Sequence, residues 1–148
     1  MSNKLEPKIQ PLASMLRQNI VVLGGIIVEK LGEEAAYEAF KKLAEITAKR
    51  LKAERKLEDG FTSLTKVVSN SAPIMGVEVS FDLNKVTCTV TKCGLFETAK
   101  QMGLEKVPLC VRCKASSNTI LEYAGSKLRK EILKSIWRGD ERCEMIYT

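Results

Sequence analysis

The stretch Val-Pro-Leu-Cys-Val-Arg-Cys-Lys, residues 107–114, sets two thiols, Cys110 and Cys113, three positions apart. The chain holds three more cysteines, Cys88, Cys93 and Cys143, and no histidine. A CxxC pair at a helix start has the spacing of a dithiol switch and of two zinc ligands. Two small apolar residues on one helix face have the same spacing. Without histidine there is no Ser-His-Asp triad, no His-ligated zinc and no His-ligated haem. Any chemistry must run on Cys, Asp, Glu, Lys, Ser, Thr or Tyr.

The other thiols differ in setting. Cys88 alternates with Val86 and Val90 and reads as a small buried hydrophobe within a strand. Cys93 follows Lys92 and precedes a helix start. Unpaired N–H groups and the positive dipole end favour a thiolate there, so Cys93 is a candidate nucleophile or ligand. Cys143 sits on the last predicted strand. Cys93, Cys110, Cys113 and Cys143 together offer four thiolates to zinc or another divalent metal, although C-x16-C-x2-C-x29-C is not a zinc-ribbon spacing.

The elements that must position these residues change period along the chain. Leu12, Met15, Leu16, Asn19, Ile20, Leu23, Ile26 and Ile27 follow helical spacing up to Gly32. The apolar run 20–28 within that helix falls short of the ~20 residues that span a bilayer, so the helix is expected to be buried. A second helix follows, with the stripe Ala36, Phe40, Leu43, Thr47 and Leu51. Its acidic residues come first and its basic residues last, as the helix dipole favours. A short helix over 61–69 precedes a turn-like Ser-Asn-Ser-Ala-Pro.

From residue 76 the apolar positions alternate. Val77, Val79, Phe81 and Leu83, then Val86, Cys88 and Val90, predict a hairpin turning on Asn84-Lys85. Helices are expected over 94–103 and from Pro108 to about 124, the latter with Cys110, Cys113, Ser117, Ile120, Leu121 and Ala124 as its stripe. Residues 128–137 fit a helix or a strand. Residues 142–148 fit a strand with Cys143, Met145 and Tyr147 on one face.

The fold class expected is α+β. N-terminal helices cover a small antiparallel sheet that begins with the hairpin of about 77–92, with two helices between it and the segment 128–147. Its 148 residues suit a single domain, with 1–70 as helical cover and 76–148 as the cysteine-bearing part. The net charge of +6 comes from lysines interleaved with glutamates, a solvated-face pattern, and 4 Phe, 3 Tyr and 1 Trp leave little to stack bases on. No nucleic-acid or membrane partner is expected. The N-terminus has no secretory signal pattern, and five free thiols fit the reducing cytoplasm.

The segments LGEEAAYEAF, AEITAKRLKAERK, VTKCGLFETAKQMGLEKV, LCVRC and GDERCEMIY, taken as a set, resemble the 2-amino-thiazoline-4-carboxylate hydrolase family. The resemblance runs from about residue 12 to residue 147, with a more distant similarity to the 4-vinyl reductase domain through the terminal strand. It implies a strand for 128–137, hence a second hairpin over about 128–147 in the same sheet, and cysteines gathered near one pocket. It also implies an activity that opens a cyclic amidine-like ring. By position, Cys93 matches the first family cysteine, Cys143 the last, and Cys113 or Cys110 the middle one. Cys113 is preferred, because Cys110 lies next to the frayed helix start.

The sequence also departs from the pattern. A family Asp three residues after the middle cysteine is Ser116 here, or Cys113 if Cys110 is the match. An Arg-Thr pair in the penultimate strand is replaced by Ile132-Leu133, and the final Cys-Asp-Phe reads Cys143-Glu144-Met145. Any base would then be Glu144, Asp140 or a second thiolate. The expected function is hydrolysis of a C–N bond in a small heterocycle, with Cys93, Cys113 and Cys143 as catalytic candidates. The alternative is a metal- or ligand-binding, redox-sensing domain. A small-molecule ligand is the expected partner, with a homodimer left open.

Overall fold

The structure is a computed structural model, described here for residues 4–148. Three helices come first: α1 (Gln10–Leu31), α2 (Glu33–Ala53) and α3 (Phe61–Met75). A hairpin follows, β1 (Glu78–Asp82) and β2 (Thr87–Lys92), then α4 (Gly94–Gln101) and α5 (Cys110–Tyr123). Strand β3 (Lys130–Lys134), a 3-10 turn (Ile136–Arg138) and β4 (Cys143–Tyr147) complete it. The four strands form one antiparallel sheet in the order β1-β2-β4-β3. The two expected hairpins are therefore joined through β2 and β4, and the fold class is α+β.

Helix α5 lies at the centre. From Ala115 to Leu121 it is buried except at Ser116, because it meets the sheet on one side and α2 on the other. The contact with α2 is built on Ala36, Ala44, Ala48 and Ala115, all buried. This corrects the expected α2 stripe. Leu43 faces solvent, and Ala44 and Ala48, in line with Ala36 and Phe40 at four-residue steps, take the inner face because small side chains let α2 and α5 approach closely. The sheet's inner face carries Phe81, Cys88, Met145 and Ile132 in one row across all four strands. Tyr147 pairs with Lys130 in the next register.

Three further expectations change. Helix α3 continues through Ser-Asn-Ser-Ala-Pro and stops at Gly76, whose left-handed φ of 63° ends it. The first hairpin turns over four residues, 83–86, and not on two. Asp82 Oδ1 accepts from the N–H groups of Asn84 and Lys85, Leu83 is exposed, and Val86 takes a positive φ. Helix α1 is not a buried helix. Ala13, Val21 and Gly24 face inward, whereas Leu12, Met15, Leu16, Leu23 and Ile26 are exposed. Over its full 22 residues α1 is also long and apolar enough to cross a membrane, by length and composition alone. The 20–28 run underestimated it because the apolar stripe extends to Leu12.

Candidate functional site

Lys130 is the residue that organises the site. It starts β3 on the inner face of the sheet and is 5% exposed. Its Nζ donates to Cys113 Sγ at 3.0 Å and lies 5.7 Å from the centre of the Tyr147 ring. A buried ammonium is unfavourable unless it is paired. Here the sulfur of α5 supplies the counter-charge and the ring face adds a cation–π contact.

The ionisation of the pair follows. Burial pushes the Cys113 thiol up, but the charge of Lys130, its hydrogen bond and the nearby Arg112 guanidinium outweigh burial and hold Cys113 below the ordinary thiol value. Burial likewise works against the Lys130 ammonium. The charge of Cys113 and its hydrogen bond overcome it and keep the amine protonated. Cys113 is the only cysteine shifted toward the thiolate, and the residue as a whole is half-buried.

Asn118, five residues further along α5, fixes the strand. Its Oδ1 accepts the Lys130 backbone N–H at 2.8 Å, and its Nδ2 donates to the Tyr37 hydroxyl at 3.2 Å. Tyr37 forms part of an open cleft of about 460 Å³ whose wall also holds Cys110, Ile132, Lys114 and Arg138, with Glu33, Glu34 and Glu131. Cys113 and Lys130 do not line this cleft themselves; Cys110, one turn before Cys113, and Ile132, two residues after Lys130, do. The cleft offers both cations and carboxylates, a lining that suits a small amphoteric molecule.

The remaining thiols are neutral. Cys93 is the N-cap of α4, as expected, and the N–H groups of Leu95 and Phe96 do favour its thiolate. Burial is stronger and pushes it up to about 11. Cys88, inside the sheet, is also raised to about 11 by burial. Cys110 shares a 3.0 Å hydrogen bond with the fully buried Ser135, and Cys143 accepts the Ile136 N–H at 3.4 Å; burial raises both.

Among the described residues no group of three or more His, Cys, Asp or Glu side chains is arranged to hold a metal ion. The four-thiolate centre expected for zinc or another divalent metal at Cys93, Cys110, Cys113 and Cys143 is therefore not assembled. Cys110 is hydrogen-bonded to Ser135, Cys113 accepts from Lys130 Nζ, and Cys143 accepts from the Ile136 N–H. All five cysteines are free. The two expected bases are also accounted for. Glu144 is held at the surface by Arg142 and Lys134, with its pKa lowered first by the Arg142 hydrogen bond. Asp140 accepts the Ser135 N–H at 2.8 Å and closes the turn before β4.

Lys130 and Asn118 were not singled out in the sequence. A lysine in Lys-Glu-Ile-Leu-Lys looks like any solvated lysine until the register places it opposite Tyr147. The only available signal was its alternation with Ile132.

The raised thiols make a prediction for alkaline pH. Cys88 and Cys93, at about 11, and Tyr147, raised by burial to about 12, are neutral in the fold, whereas the unfolded chain ionises near ordinary values. Their contribution is fully present below pH ~9 and is lost as pH rises through the folded values. Guanidinium midpoints are expected to fall steeply between pH ~8.5 and ~11, and the fall should be shallower in Cys88→Val. A flat profile over that range would contradict this reading.

The fold is similar to the phenol-responsive sensory domain of the transcription activator PoxR, solved with phenol. The TM-score is 0.62 at 16% identity, covering 88% of this chain and 73% of that one. It is also similar to subunit 3 of the trafficking protein particle complex from Naegleria fowleri, covalently bound to palmitic acid. There the TM-score is 0.57 at 13% identity, with 97% of each chain covered. A comparison with curated protein sequences gives no match. The family model for L-2-amino-thiazoline-4-carboxylic acid hydrolase matches residues 20–147, which include every residue of the site described above, and the chain belongs to that family.

Proposed function

We propose that this protein hydrolyses a C–N bond of a small cyclic amidine, with Cys113 as the nucleophile and Lys130 as its charge partner and proton source. The observation that carries the reading is the 3.0 Å contact between a thiol biased toward its thiolate and a buried ammonium. In the first step Cys113 Sγ forms a bond to the carbon of the C=N group. The π pair moves to nitrogen, which takes a proton from Lys130. One water then converts the adduct to a carbonyl and a free amine, and the sulfur leaves as a thiol that returns its proton to Lys130. Lys114 and Arg138 in the neighbouring cleft suit a substrate carboxylate, and Glu33, Glu34 and Glu131 suit an amidinium. Cys110 and Cys143, neutral and held by Ser135 and the Ile136 N–H, support the walls of the site.

Two measurements test this. Incubation with 2-amino-thiazoline-4-carboxylate, followed by mass spectrometry, is expected to yield a product one water heavier. Cys113→Ser should lower turnover by about a hundredfold or more. Saturable binding without turnover would instead favour a ligand-binding domain, a reading consistent with the bound phenol of the PoxR sensory domain. Independently, iodoacetamide at mildly alkaline pH is expected to modify Cys113 first. Cys88 and Cys93 should react at least about tenfold more slowly. Equal rates at all five thiols would remove the basis for the mechanism.

A further inference from the structure

The inward face of α1 is committed to the fold. Ala13, Val21 and Gly24 are buried, and a Cβ at Gly24 would sit 2.9 Å from the Phe40 ring, so the helix is closely docked. Its outward face carries a different pattern. Leu12, Leu16, Asn19, Leu23 and Ile26 follow one another at steps of four, three, four and three residues, the heptad spacing of a helix–helix seam. All five are exposed, Leu12 at 64%, Leu16 at 45%, Leu23 at 62% and Ile26 at 51%, and Met15 at 57% flanks them.

We infer that this seam is a self-association surface: two copies of the chain pair through α1 about a two-fold axis, with Asn19 facing Asn19 of the second copy. Three observations favour a second copy over other occupants. The seam is self-complementary, with apolar residues on both sides of a single central polar residue. An amide can donate to and accept from its own copy, and a lone polar residue in such a seam sets register and oligomeric state. No charge falls within residues 18–28, and Arg17 is turned toward the body by its hydrogen bond to the Ile74 carbonyl. Self-pairing therefore brings no like charges together. The area also matches. The five exposed apolar side chains offer on the order of 500 Å² per copy, close to the apolar share of the ~800 Å² each partner buries in a standard interface.

A bilayer is the competing occupant, since α1 is long and apolar enough to span one. Spanning would require α1 to leave Phe40 and Leu109, against which Gly24 is packed. The seam, unlike a span, needs only the face that is already free.

The test is the mass of the full chain in solution across a dilution series, by light scattering or sedimentation. Wild type is expected at twice the 16.5 kDa chain mass. Leu16→Glu with Leu23→Glu should raise the dissociation constant by about a hundredfold or more while leaving the far-ultraviolet circular dichroism unchanged. Leu133→Glu, at an equally exposed position on β3, should leave the dimer intact. If the double variant loses helical signal, Leu12→Lys at the end of the seam gives the same reading with less disturbance. Asn19→Leu should still associate, with loss of the single dimeric species. A wild-type monomer at every concentration, a dimer indifferent to Leu16→Glu with Leu23→Glu, or partition of the chain into phosphatidylcholine vesicles would each overturn the inference.

Discussion

Replacing Cys113 with alanine is expected to destabilise the fold by about 3–5 kcal/mol, whereas replacing Lys130 with methionine should cost about 1 kcal/mol or less. The asymmetry follows from what each variant leaves behind. Cys113→Ala strands the ammonium of a 5%-exposed lysine without its counter-charge. Lys130→Met leaves a neutral thiol beside an apolar side chain of similar length, and the contact with Asn118 survives because it uses the Lys130 backbone N–H. Denaturant unfolding of the two variants near neutral pH measures the difference directly. The same lysine variant should return the Cys113 thiol toward its ordinary value or above, slowing its alkylation by about tenfold. Equal losses in the two variants would mean that the pair is not ionised.

The second large effect is expected at Gly94→Ala. Gly94 opens α4 against the end of α3, and a Cβ there would fall on the carbonyl oxygen of Met75 and within 2.9 Å of the Gly76 backbone. Neither neighbour is the end of a flexible side chain, so the backbone itself must move. Overpacking ordinarily costs about 1–3 kcal/mol, and here the upper end or beyond is expected. Gly25→Ala is the matched control. It sits mid-helix in α1 with no atom within 4 Å of a Cβ, and should stabilise by about 0.5–1 kcal/mol. If the two glycine variants unfold at the same denaturant concentration, the α3–α4 junction is looser than described.

The parts of the fold carried by local periodicity were legible. Alternation from Val77 to Val90 and from Cys143 to Tyr147 marked strands, and the thiols of α5 were placed at its start. Errors arose where a residue's role depends on its partners. Pro73 reads as a stop, yet the last turn of α3 accommodates it. Leu43 looks like core and is exposed, because alanines better satisfy the close approach of α2 to α5. At the site, the dipole argument for Cys93 was correct in sign but smaller than desolvation. The residue that shifts Cys113 lies 17 positions away, on a strand whose register no periodicity reveals. Spacing located the sulfur and missed its cation.

The strand order β1-β2-β4-β3 has a consequence for how the chain is made. Strand β4 is the last of the four to leave the ribosome, yet it occupies an interior lane of the sheet. It hydrogen-bonds to β2 on one side and β3 on the other. Until it arrives, the earlier hairpin and β3 have no mutual contact through the sheet. Met145 and Tyr147 are likewise missing from beneath α5. Helices can form during synthesis, but the layer that gives Lys130 its register closes only when this keystone slots in. Released chains that end before residue 143 should stay protease-sensitive, whereas released chains that include β4 should be resistant.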